Sequence, residues 1–408
     1  MNTKIRRIAT GSLPFVPGAF AILLAVAIVL APESSFEASM QGLKLWWTLV
    51  FPALLPFLIL SEMLTASGLV HGFGVLLEPL MVRLFRLPGA GGWTLALGAT
   101  TGFPGGTQGV MQLHQQGSIT DKEAGRLAAL SHFASPVTLL IVVGATFLHN
   151  ASAGYALLII HWVSGLLAGF TASRFAPPPH QKSQPAMNSR TSAQKSLIRR
   201  IIHAASEART RDGRSFGKLL GESVASAVQN LMIVGGYMIM FAVIINIISS
   251  LLPSLPDSLP SSLLELHLGA QALTSGSGQA AAASTLNTGS MALLSAALGW
   301  SGVCALMQVL TLLKPAGVRF LPYAAVRLLH GLYAFVLTLC LWKVLYIAPG
   351  AVQPAIARLT AVPSGTVANV TMWNLFPQLL RLQLLLLALL LVLSSVIYMF
   401  TSLRRSSG

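Results

Sequence analysis

The chain has 408 residues, of which 54% are apolar and only 9% charged, where a soluble domain carries about a quarter charged residues. It lacks the polar surface a water-solvated fold of this length needs, so lipid must be the solvent for much of it, and the same balance excludes disorder. The formal net charge of +15 does not mark a nucleic-acid binder, because the basic residues collect at the ends of apolar runs and in one loop.

In chain order, Lys4, Arg6 and Arg7 precede an apolar run over 13–31 that is about long enough to span a bilayer. Pro32-Glu33-Ser34-Ser35 follows and makes a poor cleavage site, so the run is read as a retained first span and 32–42 as an outer loop. Further spans are predicted over 43–66, 127–148, 153–173, 223–250, 286–313, 321–345 and 378–401. The run 67–88, which carries Glu78, Arg83 and Arg86, is predicted as an interfacial helix, with a shallow re-entrant segment as the alternative. Cys304 and Cys340 sit in apolar runs without metal-type spacing and read as small core residues.

Lysine and arginine set the orientation. Arg83, Arg86, Lys122, Arg126, Lys314, Arg319, Arg404 and Arg405 all fall on the side of the N-terminus, predicted to be cytosolic, and the outer loops carry only Arg358. The long loop 174–218 is dense in Lys and Arg against Glu207 and Asp212. It opens on Pro177-Pro178-Pro179 and reads as a cytosolic tether dispensable for any site. Residues 195–214 within it suit a basic amphipathic helix on anionic lipid.

The predicted organisation is an all-α polytopic membrane protein of two inverted repeats. Its parts are an N-terminal span and outer loop (1–42), a first repeat (43–173), the basic linker (174–218), a second repeat (219–345), and an outer loop with a C-terminal span (346–408). Each repeat has a long span, a broken polar segment, a Gly- and Ser-containing helix, and a last span with a histidine near a glycine. These histidines are His161 before Gly165 and His330 before Gly331, both read as helix–helix hydrogen-bonders. The broken segments, 92–117 and 263–280, are predicted as re-entrant hairpins entering from opposite sides with their tips meeting near the midplane. Matched interruptions of this kind are the best pointer to a carrier's site.

In the first segment, Thr101-Gly102-Phe103-Pro104-Gly105-Gly106 cannot continue a helix, and the helix restarting near Thr107 and Gln108 offers free amides and a positive dipole end to an anion. A tight packing turn is the plainer reading. In the second, Glu265 is an ionisable group in an apolar run. Such groups mark ion or proton pathways unless they sit in water at the interface, and Glu265 lies near the start of its segment. Gln271 lies further along. The expected solute contacts are the amides of Gly102–Gly106 with Gln108, Ser135, Ser301 and Gln308. Arg327, deep in a span, is the expected fixed cation, reaching the solute or bracing the halves through Glu265. Ser131, His132, Asn287, Thr288 and Ser290 are supporting polar positions, and Glu62 suits the inner edge of its span.

Thr101 to Gly106, with Gly117-Ser118-Ile119-Thr120, Glu123-Ala124, Ser131-His132 and Ser135-Pro136, resembles nucleoside-recognition gate domains. Glu265, Gly269, Trp300-Ser301-Gly302 and Gln308 look like a partner gate, over roughly 43–345 in all. Related gates are expected to read Glu-x-Thr-x-Gly where this chain has His267. Length and the two-gate layout resemble the sporulation integral membrane proteins of YlbJ type. That resemblance implies a plan similar to concentrative nucleoside transporters and movement of dipicolinic acid from the mother cell across the outer forespore membrane. The expected partners are then a small anionic solute and the bilayer, with no nucleic acid and no cofactor. The coupling ion and any homo-oligomer are left open. A nucleoside carrier and a non-transporting assembly scaffold are the alternatives. A membrane enzyme is not expected, for want of HExxH, GxSxG or a pair of intramembrane aspartates.

Overall fold

A computed structural model describes residues 15–175, 197–275, 287–347, 381, 384–385 and 387–399, and among these it is helical with no strand. Four helices are long and apolar enough to cross a membrane: Ser152–Arg174, Phe216–Leu251, Thr288–Leu312 and Phe320–Tyr346. Two bent pairs bring the number to six if each is one span. The predicted span at 378–401 is described in part, as the apolar helix Leu387–Met399. Arg358, Arg404, Arg405 and the linker residues 176–196 lie outside the described residues.

Several expectations need correcting. Residues 32–42 are no loop. Helix α1 (Phe15–Leu30) turns by 108° into α2 (Pro32–Leu45), and Pro32 at the first helical position starts that helix because its missing N–H is not needed there. From Leu45 the helix passes through a wide turn, Trp46–Val50, into α3 (Phe51–Ala66). The predicted span 127–148 is interrupted. Helix α7 (Asp121–Leu130) ends, residues 131–135 leave the helical path, and a π-helix resumes at Val137–Phe147. Pro136 explains this, since it has no N–H to give and disfavours helix in the residue before it. Helix α4 (Leu69–Leu84) is bent by 92° from the helix before it, as an interfacial helix would be.

Both re-entrant hairpins are present. The first joins α5 (Gly91–Thr101) to α6 (Phe103–Gln115) at Gly102. The arms lie so close that a Cβ on Gly106 would sit 3.0 Å from Cα of Gly98. The second joins α11 (Ser258–Leu264) to α12 (Leu266–Thr274) at Glu265, where a Cβ on Gly269 would be 2.5 Å from Cα of Ser262. It therefore starts earlier than the sequence suggested and puts Glu265 at its apex, not at its base. The polar run 276–280 lies outside the described residues.

The repeats are inverted. The long helix 32–66 lies against α10 (Phe216–Leu251), with Gly42 beside Ile239 and Ala242, and Trp46 beside Leu231 and Gly235. Numbers rise along one helix as they fall along the other, so the matched spans run antiparallel. Helix α13 (Thr288–Trp300) breaks at Ser301 and continues as α14 (Gly302–Leu312), and the closing helices α8 (Ala151–Arg174) and α15 (Phe320–Ile347) also cross antiparallel. Asn150, just before one, donates to Tyr346 near the end of the other at 2.8 Å, and the rings of His161 and His330 lie 4.5 Å apart between. The largest apolar core surrounds this pair and α5–α7, with Leu77, Leu127, Leu139, Leu158, Leu294 and Leu306 all at or near zero exposure.

The linker is ordered where described. Helix α9 (Leu197–Asp212) packs Ile201 and Ala205 onto Gly68 and Gly72, and Arg200 pairs with Glu78 at 2.9 Å. The basic residues gather accordingly at one end of the molecule, with Arg86 reaching the carbonyl of Arg174.

Candidate functional site

The two hairpin tips meet across one cavity. Thr101, Gly102, Phe103 and Pro104 come from the first tip, and Glu265, Leu266 and His267 from the second. Ala134, Ser135, Val137, Thr138 and Val142 come from the interrupted helix of the first repeat. Ala305 and Gln308 come from the matching helix α14 (Gly302–Leu312) of the second, and Leu49, Val50, Leu54, Val234 and Met238 close the remaining side. The opposed orientation follows from the far arms. Gln108 of the first hairpin reaches Glu62 and Ser226, both at 3.4 Å, at the basic end of the molecule. Gln271 of the second meets Gln41 at 3.4 Å, at the other end of the helix that carries Glu62. The cavity measures about 40 Å³, room for a few waters.

The first tip is neutral. Gly102 takes φ of 89° and ψ of −178°, a conformation closed to side-chain-bearing residues. Three of its amides are not free as expected: Gly102 N–H donates to the Gly98 carbonyl at 2.9 Å, Phe103 N–H to Phe133 at 2.7 Å and Gly106 N–H to Gly102 at 3.1 Å. Gly105 and Gly106 face neighbouring helices, Gly105 beside Thr101 and Leu58, and Gly106 beside Gly98 and Ser131. They serve packing, so the plainer reading holds for them.

The second tip is ionisable. Glu265, 3% exposed, caps α12 by accepting the Leu268 N–H through Oε2 at 2.7 Å. Its Oε1 lies 3.0 Å from His267 Nδ1. The interfacial reading of Glu265 is therefore wrong. The histidine in the place where gate domains are expected to have threonine is the partner of the carboxylate, and the sequence reading did not count it as a site residue.

Arg327 is not a cavity cation. It is 1% exposed and donates to the carbonyls of His132 (2.7 Å) and Gly299, to Ser301 Oγ (2.9 Å) and to His330 Nδ1 (2.8 Å). It braces the two interrupted helices directly, without Glu265. Because Arg327 can only donate, His330 carries its proton on Nε2 and gives it to the His161 carbonyl at 2.9 Å. His161 Nε2 in turn accepts the Ala134 N–H at 2.9 Å. The two histidines are helix–helix hydrogen-bonders, as expected. Ser301 is spent on Arg327, at a left-handed φ of 70° just before Gly302. Among the residues predicted to touch solute, Thr101, Gly102, Pro104, Ser135, Glu265 and Gln308 are brought together. Gly105, Gly106, Gln108, Gln271, Ser301 and Arg327 are not, because each has a packing or bonding partner elsewhere.

Glu62 sits near the basic end of the molecule, and it is busy. Arg214 of the linker donates to it at 3.3 Å and also holds Asp212 (2.7 Å) and Glu222 (3.0 Å). The hydrogen bond from Arg214 keeps the Asp212 carboxyl below the usual carboxylate range. Through Glu62 the linker touches the first hairpin at Gln108, so it is less separate from the site than its composition implied.

Residues 47–151 match a gate family described as nucleoside recognition. Over 371 residues the chain is 34% identical to the sporulation integral membrane protein YlbJ of Bacillus subtilis (strain 168), covering 88% of this chain and 90% of that one. No solved structure matches.

Proposed function

This chain belongs to the family of the sporulation integral membrane protein YlbJ, and from that premise we propose that it carries a small polar anion, dipicolinic acid, across a membrane by alternating access. The multi-pass helical fold is the setting. The observation that supports transport is the meeting of two opposed hairpin tips at one buried cavity between inverted repeats. Such an arrangement has two conformations related by exchange of the halves, one open to each side. The tips, which line the cavity from both sides, part in this reading to admit a solute. In this reading the membrane is the outer forespore membrane, the solute leaves the mother cell, and both termini are cytosolic.

A second reading, a nucleoside carrier, is favoured by two observations. The gate match is described as nucleoside recognition, and the cavity wall holds a carboxylate but no lysine or arginine among the described residues. Glu265, Ser135, Thr138 and Gln308 suit hydroxyl groups and a base edge. Uptake by purified protein in liposomes separates these readings. Radiolabelled dipicolinate should accumulate above protein-free vesicles and should not be displaced by excess nucleoside. Uptake of nucleosides alone would favour the second reading, and uptake of neither would leave a structural role in spore assembly.

A further inference from the structure

We propose that Glu265 and His267 form a proton-binding site at the second hairpin tip, and that a proton taken up there accompanies the anion. The proposal deepens the carrier reading above and rests on it.

The geometry carries it. The carboxylate is buried at the apex of a re-entrant hairpin in a mostly apolar cavity. Ionisable groups in that setting are costly, and they persist where a charge must be taken up and given back. Two contacts support the charge, the Leu268 N–H on one oxygen and His267 Nδ1 on the other. Thr288–Trp300, which packs on α12, carries no ionisable side chain. From α14 come Cys304, close enough to feel the carboxylate's charge, and the Gln308 amide, which donates to the Cys304 sulfur. The first repeat presents Thr101, Ser135 and Thr138, all uncharged. The wide turn and α10 present Leu49, Val50, Val234 and Met238. Arg327, the buried cation of the second repeat, has its bonds on the two helix interruptions.

An anion in this cavity therefore meets a like charge. Two unit charges 4 Å apart in a partly screened interior disfavour one another by roughly a thousandfold in affinity. One proton removes the conflict. The pair of carboxylate and neutral imidazole has charge −1, and adding H⁺ from the water on the loading side gives charge zero. The product is either imidazolium with carboxylate or imidazole with carboxylic acid, and both keep the 3.0 Å bond. Release of the same proton to the opposite side restores the starting state, so no other reactant is needed. A metal cation fits less well. Calcium and magnesium want six or more oxygen ligands. Here a ring nitrogen lies against one carboxylate oxygen, and among the described residues no cluster of three or more His, Cys, Asp or Glu side chains is placed to hold a metal.

The test uses full-length protein in liposomes with a trapped pH dye, the membrane potential clamped, and sodium or potassium as the only cation. Addition of dipicolinate should acidify the lumen in proportion to its uptake, equally in both salts and not in empty vesicles. Glu265→Gln and His267→Thr should reduce the protons moved per dipicolinate at least tenfold. Dipicolinate uptake without acidification, uptake that requires sodium, or an unchanged proton ratio in Glu265→Gln overturns the proposal. If no solute is carried at all, the carrier reading has failed. The proton site is then judged by infrared spectroscopy of the purified protein across pH. A protonated-carboxyl band that appears on acidification and is missing in Glu265→Gln supports it, and no such band overturns it.

Discussion

At the first hairpin tip the chain turns on Gly102, and the amides that follow are engaged by Phe133 and by Gly102 itself. At the second tip it turns on Glu265, whose side chain caps the helix that follows and meets His267. The scaffolds are alike: two short helices closed over a glycine contact, a neighbouring interrupted helix, and a closing span with a histidine. The chemistry is not alike. One tip is held by backbone alone and offers shape, while the other offers a charge that can be cancelled. A duplicated architecture has thus divided its chemistry, and the polar groups at the cavity are those of the second tip with Gln308, Ser135 and Thr138 around it.

What the two regions share can be broken first. Arg327→Leu removes a side chain that binds carbonyls of both interrupted helices. It should cost about 3–5 kcal/mol, because buried acceptors lose a charged donor. Thermal unfolding in detergent should show it, and Arg327→Lys should rescue only part, lacking the planar fork. Next comes the glycine contact within each hairpin. Gly106→Val drives a side chain against the Gly98 backbone across the arms and the Ser131 carbonyl beside them, and Gly269→Val drives one against the Ser262 backbone. Each should cost about 1–3 kcal/mol as overpacking. If one hairpin tolerates valine and the other does not, the scaffolds are less equivalent than they look.

The contrast itself is sharpened by Glu265→Gln. The amide oxygen can still accept the Leu268 N–H, so stability should change by less than about 1 kcal/mol. Dipicolinate uptake in liposomes should continue, while the protons moved with each dipicolinate fall at least about tenfold. An unchanged proton ratio would take the contrast in charge between the two tips out of the mechanism. The smallest effect lies outside the membrane. Asp212 is held low by Arg214, so its folded-state pKa is below the unfolded one. The stability it adds is present above the unfolded value and is lost as pH falls below about 4. Wild type should lose under about 1 kcal/mol more than Asp212→Asn over that range, because the pair is partly exposed.

Apolar periodicity and glycine breaks made the spans, the inversion and both hairpins legible, since those features are local and lipid permits few alternatives. Composition could not show which polar groups were already engaged. Arg327 was conspicuous as a buried cation, but its acceptors are carbonyls at His132 and Gly299, distant in the chain and invisible as residue types. Gln108 and Gln271 sit on hairpin arms at helical positions that point away from the tip. His267 carried a usable signal, because a second ionisable group stood two residues from a buried glutamate. The wide turns carried none, for nothing in Trp46–Val50 or Val137–Phe147 departs from ordinary apolar helix.

Those two wide turns border the cavity, through Leu49 and Val50 on one side and Val137, Thr138 and Val142 on the other. In each, an amide reaches back five residues instead of four, as Phe51 does to Trp46 and Leu148 to Val143. A helix wound this way stores a spare residue. Handing that residue along the axis rotates the side chains it passes by about 100° each, and the ladder yields one rung at a time. The cavity wall can therefore change the faces it presents by screwing, a local motion separate from any parting of the tips.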